Sequence, residues 1–277
     1  MISNSKRGNA KGQVTLFMIV GILLLITIST FLFITKENKT EQIDEYAEKT
    51  MSSFQINGWI QSYTENCLDK TARKALIYIG NNGGYYVVPE LYDPDFNLPY
   101  YFYENKSKII LKEEIENQLA EYVDNEIKFC LENFIYFEDK GYSIKDSKPS
   151  TIVKIKKNQV NFKLKLPLKI SQDVTITELS NFEVNIHSRL DTIYSFTEQF
   201  LDLQVNDSQQ VCLSCLIDLA IENDLKVEIY PLDESYLFQI NDEKAVIEKE
   251  EEVYSYKFVN LYDFYYPENG TVNETKI

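Results

Sequence analysis

The sequence contains a single histidine, His187, among its 277 residues. Ser-His-Asp and Cys-His catalysts depend on an imidazole, and His187 stands at the end of a predicted strand, where a surface position is expected. The sequence also lacks a glycine-rich phosphate loop and a nucleophile elbow. We therefore predict no catalytic site and no cofactor, and we expect a protein that is not an enzyme.

Basic residues are also scarce. Three of them precede a long apolar run and leave 25 Lys and Arg against 43 Asp and Glu, a net charge of −18 for the rest of the chain. Nucleic-acid binding depends on cationic contacts to phosphate, so this balance argues against nucleic-acid partners. Five lysines share the polar face of two predicted strands: Lys154, Lys156, Lys163, Lys165 and Lys169. This is either a solvated sheet face or a contact for an anionic surface polymer or for the acidic tail of this or a neighbouring chain.

The long apolar run is Gln13–Thr35, which has no charged residue. About 20 such residues in a helix span the hydrocarbon core of a bilayer. A cleaved secretory signal would have an apolar region of only ~7–15 residues and a small-residue cleavage site, which the sequence FLFITKENK does not offer. We predict a transmembrane helix at 13–35.

The residues around the run predict its orientation. Lys6, Arg7 and Lys11 precede it without an acidic residue among them. The positive-inside rule then keeps 1–12 in the cytoplasm as a short tail. Residues 36–277 are expected outside the cell membrane, beginning with a helical stalk at 36–56.

The segment KGQVTL at 11–16 resembles the class III signal peptide of archaeal type IV pilin-like proteins. That resemblance implies cleavage between Gly12 and Gln13 by a prepilin peptidase, after which the helix serves as an anchor. The family usually has Glu at the fifth mature position, where it is associated with subunit assembly. Phe17 stands there in this chain, so the resemblance favours membrane targeting over filament assembly.

A second resemblance extends further along the chain. The anchor is followed by ENCLDKTARKALIYIGNNGGYY and then by EYVDNEIKFCLENF. This layout resembles uncharacterised single-span envelope proteins of archaea with small genomes. It implies an archaeal envelope location and no known activity.

Helical periodicity dominates residues 57–146. Apolar residues from Trp59 to Ile79 recur at steps of three and four and predict a helix that ends at Gly80. Short strands are predicted at Tyr85–Val88 and Tyr100–Tyr103, on either side of a proline-containing loop. A second helix is predicted at 111–134.

The period changes to two in residues 150–265. Val160 to Ile170 alternate with polar residues and predict a half-buried antiparallel strand, with partners at 151–157 and 182–186. Helices are predicted at 188–203 and 208–222, the second capped by Asn206 or Ser208. Strands at 226–230, 236–240 and 253–264 complete an α+β ectodomain of amphipathic helices and an antiparallel sheet, and 266–277 are predicted to be a disordered tail.

Cys67 and Cys130 lie on the apolar stripes of the two helices predicted in 57–146. Packing of those stripes would bring the sulfurs together, and a disulfide persists outside the cytoplasm. Closing a loop of this length stabilises by roughly 4 kcal/mol in the chain-entropy model. The alternative is two buried, inert thiols.

Cys212 and Cys215 form CLSC at the start of a predicted helix. A CxxC at a helix N-terminus is typical of redox proteins, but a thioredoxin-like unit needs a strand before the helix, and none is predicted there. A local disulfide or two core cysteines are the alternatives. A zinc site would need a second pair of ligands, so no metal is predicted.

N-glycosylation sequons are candidate modification sites in an ectodomain. They occur at Asn38, Asn105, Asn206, Asn269 and Asn273.

The sequence thus favours a membrane-anchored extracytoplasmic protein with a structural or binding role in the cell envelope. Its expected partners are the lipid bilayer and other envelope proteins or a surface polymer. Two alternatives stay open: a minor pilin-like subunit processed before Gln13, and an extracytoplasmic thiol-disulfide oxidoreductase that uses Cys212 and Cys215.

Overall fold

The computed structural model describes residues 11–172, 175–206, 211–232, 235–245, 247 and 253–262, without the side chains of 11–17 and 31–54. The predicted tail at 266–277 lies outside these residues. The chain divides into two compact units, 1–58 and 59–277.

The first unit contains most of helix α1 (Lys11–Asn81). Every described side chain between 18 and 30 is exposed, and these include nine large apolar side chains. Among the helices of the described part of the chain, none combines the length and the apolar character needed to cross a membrane. The span at 13–35 stays a prediction.

The second unit begins with the last turns of α1, which bury the predicted apolar stripe. Trp59 is an exception, because it was predicted on that stripe but is 60% exposed. After the helix, the Gly84 amide donates to the Ile79 carbonyl at 2.8 Å. Gly84 has φ +85°, and a Cβ there would lie 2.7 Å from the Tyr256 hydroxyl, so only glycine fits this turn.

The first sheet has six strands: β1 (Tyr92–Asp93), β2 (Leu98–Tyr103), β3 (Lys106–Ser107), β8 (Lys226–Pro231), β9 (Ser235–Asp242) and β10 (Tyr254–Leu261). Their order is β1-β2-β10-β9-β8, with β3 paired to β2. All of these pairs are antiparallel except β2 with β10. The prediction of antiparallel pairing therefore holds for most of this sheet.

The second sheet is formed by β4 (Ser143–Asp146), β5 (Ser150–Lys156), β6 (Gln159–Gln172) and β7 (Thr175–His187). The long strand β6 pairs along one side with β7 and along the other with β5 and β4, all antiparallel. Buried apolar residues alternate with exposed ones along β6, as its period of two predicts.

Helices pack against both sheets. Glu116 of α2 accepts a hydrogen bond from the Ile155 backbone amide at 2.8 Å and pairs with Lys154 at 2.7 Å, which fastens α2 to the edge of β5. The ring centroids of Phe200 of α4 and Phe238 of β9 lie 5.3 Å apart. The helices are α2 (Lys112–Leu131), a 3₁₀ turn (Glu132–Phe134), α3 (Ile135–Glu138), α4 (Leu190–Asn206) and α5 (Leu213–Asn223). The α+β class of the prediction is correct.

Two local predictions are wrong. Residues 85–88 are not a strand, because the Tyr86 amide donates to the Gln118 side chain of α2 at 2.8 Å and not to a neighbouring strand. Helix α5 begins at Leu213, with Cys212 as its N-cap, and so starts later than the predicted 208. Asn206 is not its cap, because Asn206 is the last residue of α4, and Ser208 lies outside the described residues.

The segments predicted at 57–146 and 150–265 share one sheet. Strand β2 belongs to the first segment and β10 to the second, and the two pair directly. The second compact unit, 59–277, accordingly includes nearly all of both segments.

Candidate functional site

The face of the first sheet opposite α4 carries a concavity of about 440 Å³. Side chains alternate across β9, so Phe238 faces α4 while Leu237 and Gln239 face the concavity. Leu98 and Leu237 pack with Val259 beneath it and form an apolar floor. The lining residues, all of the second unit, are Asn81, Phe96, Leu98, Tyr230, Leu237, Gln239 and Lys257.

The turn between β1 and β2 holds Phe96 at the rim. The buried Asp93 carboxylate accepts hydrogen bonds from the backbone amides of Asp95 and Phe96, both at 3.1 Å. Its other oxygen accepts from the Tyr100 hydroxyl at 3.1 Å. Burial of the ring and, to a smaller extent, the negative charge of Asp93 raise the pKa of Tyr100 to about 12. The hydroxyl is therefore protonated at neutral pH and can donate. Asp93 therefore fixes the turn that presents Phe96.

Three polar side chains border the concavity. The Asn81 amide group donates to the Ile77 carbonyl at 3.1 Å, and the Gln239 amide group donates to Asn241 at 3.0 Å. Lys257 has no acidic partner within the described residues, whereas Lys226 on the same face lies 3.1 Å from Glu228. The site thus offers two oriented amides and one uncompensated cation.

Sequence reasoning did not find this site. Phe96, Tyr230 and Lys257 come from three separate stretches of the chain, and no spacing rule links them. The 20 tyrosines of the sequence are a partial signal, since an aromatic ring whose hydroxyl stays in contact with water suits binding surfaces.

The structure places the Cys67 and Cys130 sulfurs 2.11 Å apart, so α1 and α2 are cross-linked. Tyr63 supports the same junction by donating to the carbonyls of Cys130 and Leu131 at 3.1 and 3.2 Å. Burial, assisted by Glu132, raises the pKa of the Tyr63 hydroxyl.

Cys212 and Cys215 are also joined, with a Cα separation of 5.4 Å. Both are half-buried at the start of α5. Leu213, Ile217 and Ile221 follow at helical spacing along α5 and are exposed by 55%, 57% and 74%. An exposed apolar stripe therefore adjoins the bridge.

The other predicted sites fall on exposed positions or outside the description. His187 is exposed at the end of β7. Asn105 is exposed in the turn between β2 and β3, and Asn206 is exposed at the end of α4. Gly12, Gln13 and Asn38 lie in α1, in stretches where only the backbone is described. Asn269 and Asn273 lie outside the described residues entirely.

Metal-binding chemistry finds no support in the described ranges. They contain no group of three His, Cys, Asp or Glu side chains arranged to hold an ion.

The lysine face of the second sheet is exposed at all five predicted positions. Lys154 pairs with Glu116, and Lys163 lies 3.7 Å from Glu183 of β7. Glu178 stands directly opposite Lys169. Acidic neighbours therefore reduce the positive charge of this face.

Comparisons with protein-family models, with curated proteins and with solved structures find no match. Functional inference therefore depends on the residues and their geometry.

Proposed function

We propose that this chain is a membrane-anchored protein of the cell envelope whose second unit, outside the cytoplasmic membrane, has a binding role. The observation that carries the anchor is the exposure of Met18 to Ile28 in α1. Nine large apolar side chains there are 48–69% exposed. A continuous apolar surface of this kind marks a contact with lipid or protein, and the uncharged run at 13–35 is long enough for lipid.

The hydroxyls within the run support the same proposal. The Thr27 hydroxyl donates to the Leu24 carbonyl, and the Thr30 hydroxyl donates to the Ile26 carbonyl, both at 2.9 Å. In a bilayer each polar group must find its partner inside the protein. These two hydroxyls already have theirs within their own helix.

The cysteines support placement outside the cytoplasm. All four are joined in two bridges, and no cysteine is free. Disulfides persist in oxidising surroundings and are rare in a reducing cytosol. With Lys6, Arg7 and Lys11 on the cytoplasmic side, the second unit then lies outside.

Alkaline extraction of membranes tests the anchor. We expect the full chain to stay in the membrane pellet, and Leu24→Lys with Ile26→Lys to release it, because each central charge costs about 3 kcal/mol in lipid. The matched pair Leu24→Ala with Ile26→Ala should remain in the pellet. Release of the wild-type chain at alkaline pH would refute the anchor.

Two further measurements test orientation and processing. A tag at the C-terminus should be accessible to antibody on intact cells, and a tag at the N-terminus should not. Sequencing of the membrane-bound form decides the pilin-like alternative: a start at Gln13 supports prepilin-type processing, and a start at Met1 or Ile2 excludes it.

The binding role is carried by the concavity on the first sheet. Its apolar floor, its two half-exposed rings and a few convergent polar groups are the features of ligand sites. Because Asp93 fixes the turn that carries Phe96, the rim is formed before any ligand arrives.

A second candidate function is thiol-disulfide exchange at Cys212 and Cys215. The observation that favours it is the half-exposed bridge at a helix N-terminus beside the apolar stripe of α5, which suits an unfolded polypeptide. One thiolate of that polypeptide would attack the bridge and its second thiol would then release the mixed disulfide. The polypeptide loses two electrons and two protons, Cys212 and Cys215 gain them as thiols, and a small disulfide such as oxidised glutathione reoxidises the pair.

Equilibration in glutathione buffers tests this candidate. An exchangeable Cys212–Cys215 bridge should have a reduction potential above about −300 mV, the approximate upper limit for structural disulfides. The Cys67–Cys130 bridge provides the internal reference, expected below that value. If both bridges resist reduction equally, thiol-disulfide exchange is refuted.

A further inference from the structure

The concavity on the first sheet has an apolar floor, aromatic walls, two amide acceptors and one uncompensated cation. We infer that it binds an acidic saccharide, a sugar that carries a carboxylate. This inference rests on the binding role proposed above and adds the chemical class of the ligand.

The aromatic walls fit one face of a sugar ring. Phe96 and Tyr230 are 48% and 45% exposed at the rim, above Leu98 and Leu237, which are nearly fully buried. A pyranose ring has an apolar face of C–H groups, and aromatic rings cover such a face while water stays at the edges. The volume of about 440 Å³ lies within the ~300–1,000 Å³ of ligand pockets.

The amides require a ligand that donates hydrogen bonds. Asn81 and Gln239 each spend an N–H on a protein acceptor. Within the described residues neither side-chain carbonyl oxygen has a donor, so both are available to the ligand. Sugar hydroxyls are donors, whereas an aliphatic chain offers none.

The cation favours a ligand with a negative charge. Lys257 is half-buried and lacks an acidic partner in the described ranges, although the chain beyond the apolar run has a net charge of −18. Lys226 on the same face is already paired with Glu228. An anionic group of the ligand near Lys257 would therefore neutralise a charge that has no partner among the described residues of this face.

Calorimetric titration of the full chain in detergent micelles tests the inference. The probes are the methyl glycoside of galacturonic acid, which has a single carboxylate, and its methyl ester, which has nearly the same shape without the charge. We expect the ester to bind about tenfold more weakly, a difference of one charge pair. Lys257→Met should weaken binding of the acid about tenfold and leave the ester unchanged.

Two control comparisons separate the roles of charge and ring. Lys165→Met removes an exposed lysine of the second sheet, away from the concavity, and should leave both affinities unchanged. Tyr230→Ala should weaken acid and ester alike, by about tenfold for a lost aromatic contact, while Tyr230→Phe keeps the ring and the affinity.

Three results would overturn the inference. Equal affinity for acid and ester, or wild-type affinity in Lys257→Met, would remove the requirement for a carboxylate. Absence of saccharide binding by the folded chain would refute the ligand class, whereas the anchor is judged separately by membrane extraction. Binding of a dipeptide with a free carboxylate in place of the sugar would refute the class and retain the site.

Discussion

Replacing Arg189 with methionine is expected to lower the free energy of unfolding by about 3–5 kcal/mol. Arg189 precedes α4 and donates to Asp242 at 2.8 Å, a residue with no exposed surface. It also donates to the backbone carbonyls of Asn223 and Asp224 at the end of α5. Methionine has a similar volume but would leave the Asp242 carboxylate buried without a cation, and denaturant unfolding in detergent micelles measures the loss.

A double-mutant cycle separates the ion pair from packing. Asp242→Asn in the Arg189→Met background removes the stranded charge, so part of the loss should be recovered. Arg189→Lys should be intermediate, because an ammonium group lacks the planar fork that reaches three acceptors. A loss below about 1 kcal/mol in Arg189→Met, the range of a surface ion pair, would contradict the buried pair.

Removing the Cys67–Cys130 bridge is expected to lower the free energy of unfolding by about 4 kcal/mol. The residues are 63 positions apart, so the bridge restricts a long loop in the unfolded chain. Cys67→Ala with Cys130→Ala tests this by denaturant unfolding, with circular dichroism as the signal.

The second bridge provides a matched control. Cys212 and Cys215 are 3 positions apart, and the same model gives about 2 kcal/mol for so short a loop. Cys212→Ser with Cys215→Ser should therefore destabilise less than the first pair. Equal losses for both pairs would show that loop closure does not explain the stabilisation.

Local patterns predicted the elements whose signal lies within their own residues. The alternation in β6 and the stripe at the end of α1 depend on the sequence period, and the structure confirms both. The failed strand at 85–88 depended on Gln118, an acceptor from a different element, which the local pattern did not contain. Helix α5 likewise begins later than its local pattern predicted, with Cys212 as its N-cap.

The candidate site was less predictable than the fold. Its shape depends on the parallel pairing of β2 with β10, which brings the β1–β2 turn with Phe96 and the strand with Lys257 into one site. Such pairing is set by tertiary contacts between distant residues, and a single sequence contains no local signal for it. Cys67 and Cys130 were inferable because each lay on an apolar helical stripe, which restricts where a side chain can point.

The position of β10 between β2 and β9 imposes an order on folding during synthesis. Ribosomes add ~5–20 residues per second, so β10, about 150 residues after β2, follows it by roughly 8–30 seconds. For that time the edge of β2 that later pairs with β10 has no partner and is open to chaperones or to other nascent chains. Cys67 and Cys130 both precede β10, so oxidation can close the first covalent loop while the sheet beside it is still incomplete.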